Sequence, residues 1–325
     1  MASTLPFHGR NSGSIPLGFN MTSNSNTKLI NTNLTQQHPF HVLTSSKLPI
    51  LTSTLSGILA LTFIAKLHSI SPSDLHIFSH IAALVLDPLY SIGELHHISY
   101  NLSILTLITF LTTAMWAWSI NLFKESTEEG HHTLRVQLAL KYGMLLFLIS
   151  EAMLFFPFFW AFFHGSLSPA VAIGAIWPPV GIKGLETLDP FMLPLVNTLV
   201  LLCSGVAIVG AHRAIIYGHK SIVINMMYLA ISFGIFFSWL QFLEYGLTKF
   251  TINDGLYGSV FFMLTGLHGF HVIVGTTLLL ISYWRIAVNN FSTKHHIGFE
   301  TAAWYWHFVD VVWLGVFAFV YIWGV

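Results

Sequence analysis

The chain has 325 residues, of which 54% are apolar and only 8% are charged. An average soluble domain is about 25% charged, so this composition excludes an ordinary soluble globule. The formal net charge is zero, and binding to nucleic acid is therefore not expected.

The N-terminal stretch 1–46 is polar. It is rich in Ser, Thr and Asn and contains Arg10 and Lys28 but no acidic residue. A segment of this composition packs no core. We expect an extension that lies as an arm on neighbouring subunits, ahead of a membrane domain at 47–325, and a cleavable transit peptide is the alternative.

Long apolar runs dominate the rest of the chain. A bilayer offers no water to backbone groups, so a spanning segment must be a helix or part of a closed barrel, and unbroken runs of about 20 residues favour helices. The segment 77–90 is too short to cross and contains Pro88, which indicates an interfacial helix rather than an eighth span. We therefore predict an all-α protein with seven transmembrane helices, near 48–67, 100–123, 138–164, 192–217, 222–247, 255–286 and 299–323.

Basic residues are distributed unevenly between the two sides that seven spans define. Ten of the 13 Lys and Arg residues fall on the side of the N-terminus, and the other side has only Lys66, Lys183 and Lys249. The positive-inside rule then places the N-terminus in the cytoplasm or in a mitochondrial matrix.

Glu151 is predicted to lie near the middle of the third span. An ionised carboxylate is costly there, so the group should stay neutral, pair with a base, or face water or a lipid headgroup. We interpret it as a functional or lipid-binding residue, with a neutral acid bonded to a neighbouring helix as the alternative.

Two polar pairs that contain histidine share helical faces. His268 and His271 are three residues apart in the sixth span, and His307 and Asp310 are three apart in the last. Such pairs are able to ligate haem or metal. Because the spacing provides no third or fourth ligand, we favour structural hydrogen bonds between helices.

Two further residues have alternative interpretations. Glu244 lies near the end of its span and is either a solvated charge or a buried structural group. Cys203, the single cysteine, excludes an intrachain disulfide, and we expect it to be buried. The nucleotide-binding and hydrolase motifs are absent, so the sequence shows no apparatus for hydrolytic or nucleotide-driven chemistry. An enzyme, a transporter and a scaffold subunit all remain open at this point.

Six ordered blocks of sequence resemble one family, subunit III of the haem-copper cytochrome c oxidases. They are KESTEEGHHT (124–133), ISEAMLFFPFFWAFFHGSLSPA (149–170), IWPPVGI (176–182), FTINDGLYGSVFF (250–262), TGLHGFHVIVG (265–275) and HHIGFETAAWYWHFVDVVWL (295–314). The resemblance runs from about residue 38 to the C-terminus.

The resemblance implies a non-redox subunit of respiratory complex IV in the mitochondrial inner membrane, with the N-terminal extension on the matrix side. Haem a and copper would lie in the partner subunits 1 and 2, and this chain would hold no metal and no catalytic residue. It would stabilise subunit 1 and aid proton uptake, and thereby support electron transfer from cytochrome c to oxygen and proton pumping.

The family also implies that helices 1–2 and 3–7 form a V-shaped cleft filled with phospholipids, including cardiolipin. The matching headgroup-side positions in this sequence are His132, Glu151, Trp160 and Arg285. Subunit III of a quinol oxidase is the nearest alternative. An independent transporter that uses Glu151 and the histidines of the sixth span is a more distant one.

The sequence departs from the family pattern at several places. It has Gly210, Ala211, His212 and Arg213 where the family usually has W-A-H-H, and Trp118 is followed by Ser119 instead of a second tryptophan. The extension 1–37 and an insertion at 69–98 have no recognisable counterpart in the family. We expect lineage-specific accessory subunits to bind there. The insertion contains four histidines, for which metal binding is the alternative: His76, His80, His96 and His97.

Overall fold

The computed structural model describes residues 45–67, 96–183 and 187–324. Within these ranges all of the long elements are helices, and seven are long and apolar enough to cross a membrane. This confirms the predicted all-α fold class with seven spans. They are α1 (Leu48–Leu67), α2 (His96–Thr127), α3 (Leu134–Leu167), α4 (Leu193–Ile216), α5 (Lys220–Leu247), α6 (Gly255–Ala287) and α7 (Ile297–Val316), which continues as a π-helical segment, Phe317–Trp323.

The predicted helix ends differ from the observed ends by at most four residues. The largest shifts are in α2 and α3, where polar residues such as Lys124 and Arg135 extend the helices beyond the apolar runs. The predicted interfacial helix at 77–90 and residues 1–44 lie outside the described residues. The domain boundary at 46/47 therefore stays a prediction.

Helix α3 carries most of the residues that the family resemblance selected. Its first turn is capped by the Thr133 hydroxyl, which accepts a hydrogen bond from the Val136 backbone N–H at 3.5 Å. The helix continues through Pro157, whose ring removes one backbone hydrogen bond. Its side chains reach both α6 and α7.

The helices fall into two packed sets. Helix α1 packs along α2, and their side chains are mostly exposed apart from residues such as Ala65, Ser103 and Ala114. Helices α4 to α7 pack on one another, and α3 packs on α6 and α7. The buried core therefore lies mainly among α4 to α7, and Phe155 and Phe162 of α3 also belong to it.

Trp306 on α7 occupies the centre of this core and is fully buried. A methyl group on Gly234 of α5 would lie 2.6 Å from its ring, and one on Gly275 of α6 would lie 2.9 Å away. Its indole N–H donates to the Ser204 hydroxyl of α4 at 2.7 Å. One side chain thus depends on small residues from three other helices.

Cys203 is exposed on the outer face of α4, so the expectation that it is buried was wrong. In a membrane helix the lipid-facing side is as apolar as the buried side. Hydropathy therefore gives no information about which face of the helix a small residue occupies.

We expect Gly275→Ala to destabilise the bundle by about 1–3 kcal/mol, because the added methyl group overpacks against the rigid Trp306 ring. The measurement is the thermal unfolding midpoint of the detergent-solubilised protein. Gly269→Ala in the same helix is the control, because nothing in this chain lies within 4 Å of its added methyl group. Equal midpoints for the two variants would contradict the packing argument.

Candidate functional site

Glu151 of α3 pairs with His271 of α6. Its Oε2 lies 2.8 Å from His271 Nε2, and the two side chains are 20% and 3% exposed. The Phe155 ring packs on the imidazole at 4.8 Å. Of the alternatives that the sequence left open for this carboxyl group, the structure shows contact with a base on a neighbouring helix.

The hydrogen bonds of His271 limit where its protons are. Its Nδ1 lies 2.7 Å from the Leu267 carbonyl oxygen, and a carbonyl only accepts, so Nδ1 carries a proton. The contact between Nε2 and Glu151 then contains one further proton, held either by the imidazole or by the carboxyl group. The pair has no net charge in both cases, which suits its position in the middle of two long spans.

Arg285 lies near the C-terminal end of α6 and is 8% exposed. Its guanidinium carbon lies 4.7 Å from the ring centre of Phe123 on α2 and 4.2 Å from that of Phe291. Its Nη2 donates to the Ser126 hydroxyl at 3.4 Å. A side chain on Gly298 would collide with Nη1, since a methyl group there would lie 2.7 Å away.

No carboxylate among the described residues pairs with Arg285, and its Nε finds no hydrogen-bond partner there. A buried guanidinium without a counter-charge is unfavourable. Cation–π contacts with two rings offset part of this cost. The group is therefore suited to bind an anion from outside this chain, such as a phosphate.

The family resemblance grouped four residues that do not lie close together in the structure: His132, Glu151, Trp160 and Arg285. His271, the partner of Glu151, is 14 positions from Arg285 in α6, or about 21 Å along the helix axis. His132 lies in the loop before α3, where its carbonyl accepts from Gln137 at 2.9 Å. Trp160 is 63% exposed and lies about 14 Å beyond Glu151 along α3, away from the α3 start, so it is not on the same side as Arg285 and His132.

A second buried carboxyl group, that of Glu244, is fully enclosed and is not a solvated charge. The Tyr321 hydroxyl donates to its Oε1, as does the Gln241 amide at 3.2 Å. The Gln241 carbonyl accepts from the Asn197 amide at 3.2 Å. This network joins α4, α5 and the C-terminal segment, and sequence periodicity gave no signal for Gln241, Asn197 or Tyr321.

The other predicted polar residues differ in burial. His268 is fully buried, and its Nε2 donates to the Val309 carbonyl at 3.2 Å. Asp310 is 7% exposed, and its Oδ2 lies 3.7 Å from Nδ1 of His307, whose side chain is 41% exposed. His307 is therefore not enclosed within this chain.

None of these histidines belongs to a converging set of metal ligands in the part of the chain that the structure describes. The set that the described residues contain consists of His212, His296 and Glu300. Sequence spacing missed this set, because His212 is on α4 and the other two residues are at the start of α7.

Comparison with known proteins identifies the family of this chain. The family model of cytochrome c oxidase subunit III matches residues 65–325. The chain belongs to this family. It is 41% identical to cytochrome c oxidase subunit 3 of Prototheca wickerhamii over 289 residues, covering 89% of this chain and 99% of the relative.

Two land-plant relatives give the same result. Identity to cytochrome c oxidase subunit 3 of Arabidopsis thaliana is 46% over 258 residues, covering 79% of this chain and 96% of the relative. Identity to that of Marchantia polymorpha is 44% over 293 residues, covering 90% and 98%. The resemblance predicted from the six blocks is thus confirmed, and the chain is a multi-pass membrane subunit of the respiratory oxidase, complex IV.

We expect Glu151→Leu and His271→Leu each to destabilise the protein by about 1–3 kcal/mol, because each leaves a buried polar partner unpaired. The double variant should cost less than the sum, with a coupling energy of about 0.5–3 kcal/mol. Free energies of unfolding in mixed detergent micelles provide the measurement.

The matched control combines Glu151→Leu with Thr277→Val. Thr277 is on the same helix as His271, and its hydroxyl donates to the Ile273 carbonyl of its own helix and to no other described residue. Those two changes should be additive. Additivity of Glu151→Leu and His271→Leu as well would exclude an energetically significant pair.

Proposed function

We propose that this chain is a non-redox subunit of the oxidase that holds structural phospholipid against the catalytic core and so maintains activity through many turnovers. In this proposal subunits 1 and 2 contain haem a and copper and carry electrons from cytochrome c to oxygen. Stabilisation of subunit 1 by this chain supports proton uptake and pumping. The observation that carries the proposal is Arg285, a buried base without a carboxylate among the described residues.

The surroundings of Arg285 favour a lipid phosphate as its missing anion. The guanidinium lies at the end of a transmembrane helix, at the depth where headgroups are found, and its planar fork is able to bind two phosphate oxygens. Phe123 and Phe291 supply apolar surface next to it. His132, which is in the loop after α2, lies on the same side of the membrane.

The packing of the helices supports a cleft for the rest of the lipid. Helix α2 makes its extensive contacts with α1, whereas α3 packs on α6 and α7. We propose that acyl chains, including those of cardiolipin, fill the space between these two sets. Trp160 and the apolar outer side chains of α3 are exposed and available to line it.

Glu151 has a different role in this proposal from the one that its membrane depth first suggested. Its carboxyl group faces His271, so it joins α3 to α6 within the wall of the cleft. A phosphate bound at Arg285 is too far away to reach it.

The sidedness of the chain in the mitochondrial inner membrane follows from its charges in the same proposal. Helices α3, α5 and α7 start on one side, where α4 and α6 end, and Lys141, Arg213, Lys220 and Arg285 all lie there. We place this side and the N-terminal extension in the matrix. The extension 1–37 and the insertion 69–98, which lie almost wholly outside the described residues, are proposed to contact accessory subunits.

We expect Arg285→Ala to release phospholipid from the purified oxidase and to shorten its catalytic lifetime, with little change in initial rate. Loss of hydrogen bonds to a charged group costs about 1.5–3 kcal/mol, which corresponds to about 10- to 150-fold weaker lipid retention. Lipid mass spectrometry of the complex and turnover-dependent inactivation provide the two measurements.

Arg213→Ala is the matched control, because Arg213 lies on the same side of the membrane and is exposed. It should change neither lipid content nor lifetime. Arg285→Lys should be intermediate, since the ammonium keeps the charge but loses the fork and much of the stacking. An Arg285→Ala complex with unchanged lipid content and lifetime would contradict the proposal.

A further inference from the structure

Three ligand-type side chains converge near the start of α7, where Gly298 also packs against Arg285. His296 immediately precedes α7, Glu300 is in its first turn, and His212 comes from the last turns of α4. Each offers one ligand atom, and these atoms all lie within 4.8 Å of one another. Two imidazoles and one carboxylate from two helices are thus near enough to share a cation once the side chains move closer by about an ångström, since ligands at about 2.0–2.1 Å from Zn²⁺ lie about 3.3–3.4 Å apart in a tetrahedral site.

The hydrogen bonds of His296 direct one ring nitrogen toward the cluster. Its Nδ1 lies 3.1 Å from the Ser292 carbonyl oxygen, so Nδ1 carries a proton and donates it. In the neutral ring this leaves the lone pair on Nε2, which lies 3.4 Å from Glu300 Oε1. Donation from one imidazole nitrogen to a carbonyl is the arrangement that orients metal-binding histidines.

Glu300 is held in a corresponding way by α3. The Lys141 ammonium pairs with its Oε2 at 2.5 Å, so Oε1 is left to face His296. Lys141 therefore acts as a positioning residue that fixes which carboxylate oxygen points into the cluster.

His212 completes the set from the opposite side. Its ring centre lies 5.7 Å from that of His296, at an interplanar angle of 68°, and Phe299 packs on it at 5.8 Å. His296 is 6% exposed, whereas His212 and Glu300 are half-buried, which leaves access from the aqueous edge of the bundle. This arrangement resembles a prepared site more than a solvated surface group.

We propose that His212, His296 and Glu300 bind a zinc-type divalent cation that links the end of α4 to the start of α7. Two imidazole nitrogens and one carboxylate oxygen form a ligand set that Zn²⁺ accepts, with water in the fourth position. Calcium and magnesium prefer oxygen ligands alone. The proposal revises the expectation from sequence that this chain holds no metal.

The test measures zinc binding by the assembled oxidase after treatment with a chelator. Equilibrium dialysis with ⁶⁵Zn²⁺ should show one site per complex whose affinity falls at least about tenfold in His296→Asn. Asparagine keeps a donor near the Nδ1 position for the Ser292 carbonyl but removes Nε2. His212→Asn and Glu300→Gln should weaken the same site.

His295→Asn is the matched control. His295 is adjacent in sequence, but its Nδ1 faces the Gln137 amide at 2.8 Å, and it does not belong to the cluster. Its substitution should leave zinc affinity unchanged. Equal weakening in His295→Asn, or unchanged binding in both His212→Asn and His296→Asn, would overturn the proposal.

Zinc K-edge X-ray absorption of the unsubstituted complex keeps the proposal testable if a variant fails to assemble. The zinc added to the chelator-treated complex should show nitrogen neighbours at about 2.0–2.1 Å with the scattering pattern of imidazole. A sulfur shell or an oxygen-only shell would overturn the proposal. Several weak, non-saturating sites would likewise identify an adventitious ion only.

Discussion

The buried indole of Trp306 holds the described bundle together. It extends from α7 between Gly234 of α5 and Gly275 of α6 and donates to Ser204 of α4. Helices in a bilayer gain little from the hydrophobic effect when they associate, so close packing and hydrogen bonds must join them. This side chain supplies both, and the separation of four helices depends on the space that it fills.

The remaining buried polar groups follow the same constraint. Each hydrogen bond between helices satisfies a group that lipid cannot satisfy, as the contact of Trp313 with Thr198 illustrates at 3.0 Å. Glu151 and Glu244 have partners on another helix or segment. Arg285 differs, because within the described residues its guanidinium meets two aromatic rings, one distant hydroxyl and the backbone at Gly298, but no carboxylate. Glu151 and Glu244 therefore hold the bundle together, whereas Arg285 is suited to bind an external ligand.

The sequence predicted the spans well, because hydropathy reports which residues avoid water. It failed at Cys203, because lipid and core are equally apolar and hydropathy contains no facial information. The cost of a carboxylate in a membrane singled out Glu151. Nothing in the sequence identified His271, which is 120 residues away, as its partner. The pairing depends on how α3 meets α6, and single-sequence spacing reports only neighbours within one helix.

The same reasoning explains why the family resemblance placed Trp160 with Arg285 although helix geometry separates them. Alignment transfers residues one at a time, whereas a phosphate group spans only a few ångströms. A phospholipid is longer, with a charged end and acyl chains that extend toward the middle of the bilayer. In the proposed function, Arg285 and His132 therefore meet the headgroup of one lipid, whereas Trp160 lies beyond the middle of the bilayer, out of reach of that lipid's acyl chains.

Lipid in this position would also have a mechanical role. Helix α2 packs extensively on α1, and Arg285 of α6 reaches it at Phe123 and Ser126. A phosphate on the guanidinium would neutralise the buried charge of Arg285 at this junction, and the acyl chains would fill the space between the two helix sets. Without the lipid, the junction would keep an uncompensated charge against apolar rings. The lipid would then stabilise the relative position of the two helix sets. In the proposed function, a subunit without redox chemistry would prolong the activity of its neighbours in this way.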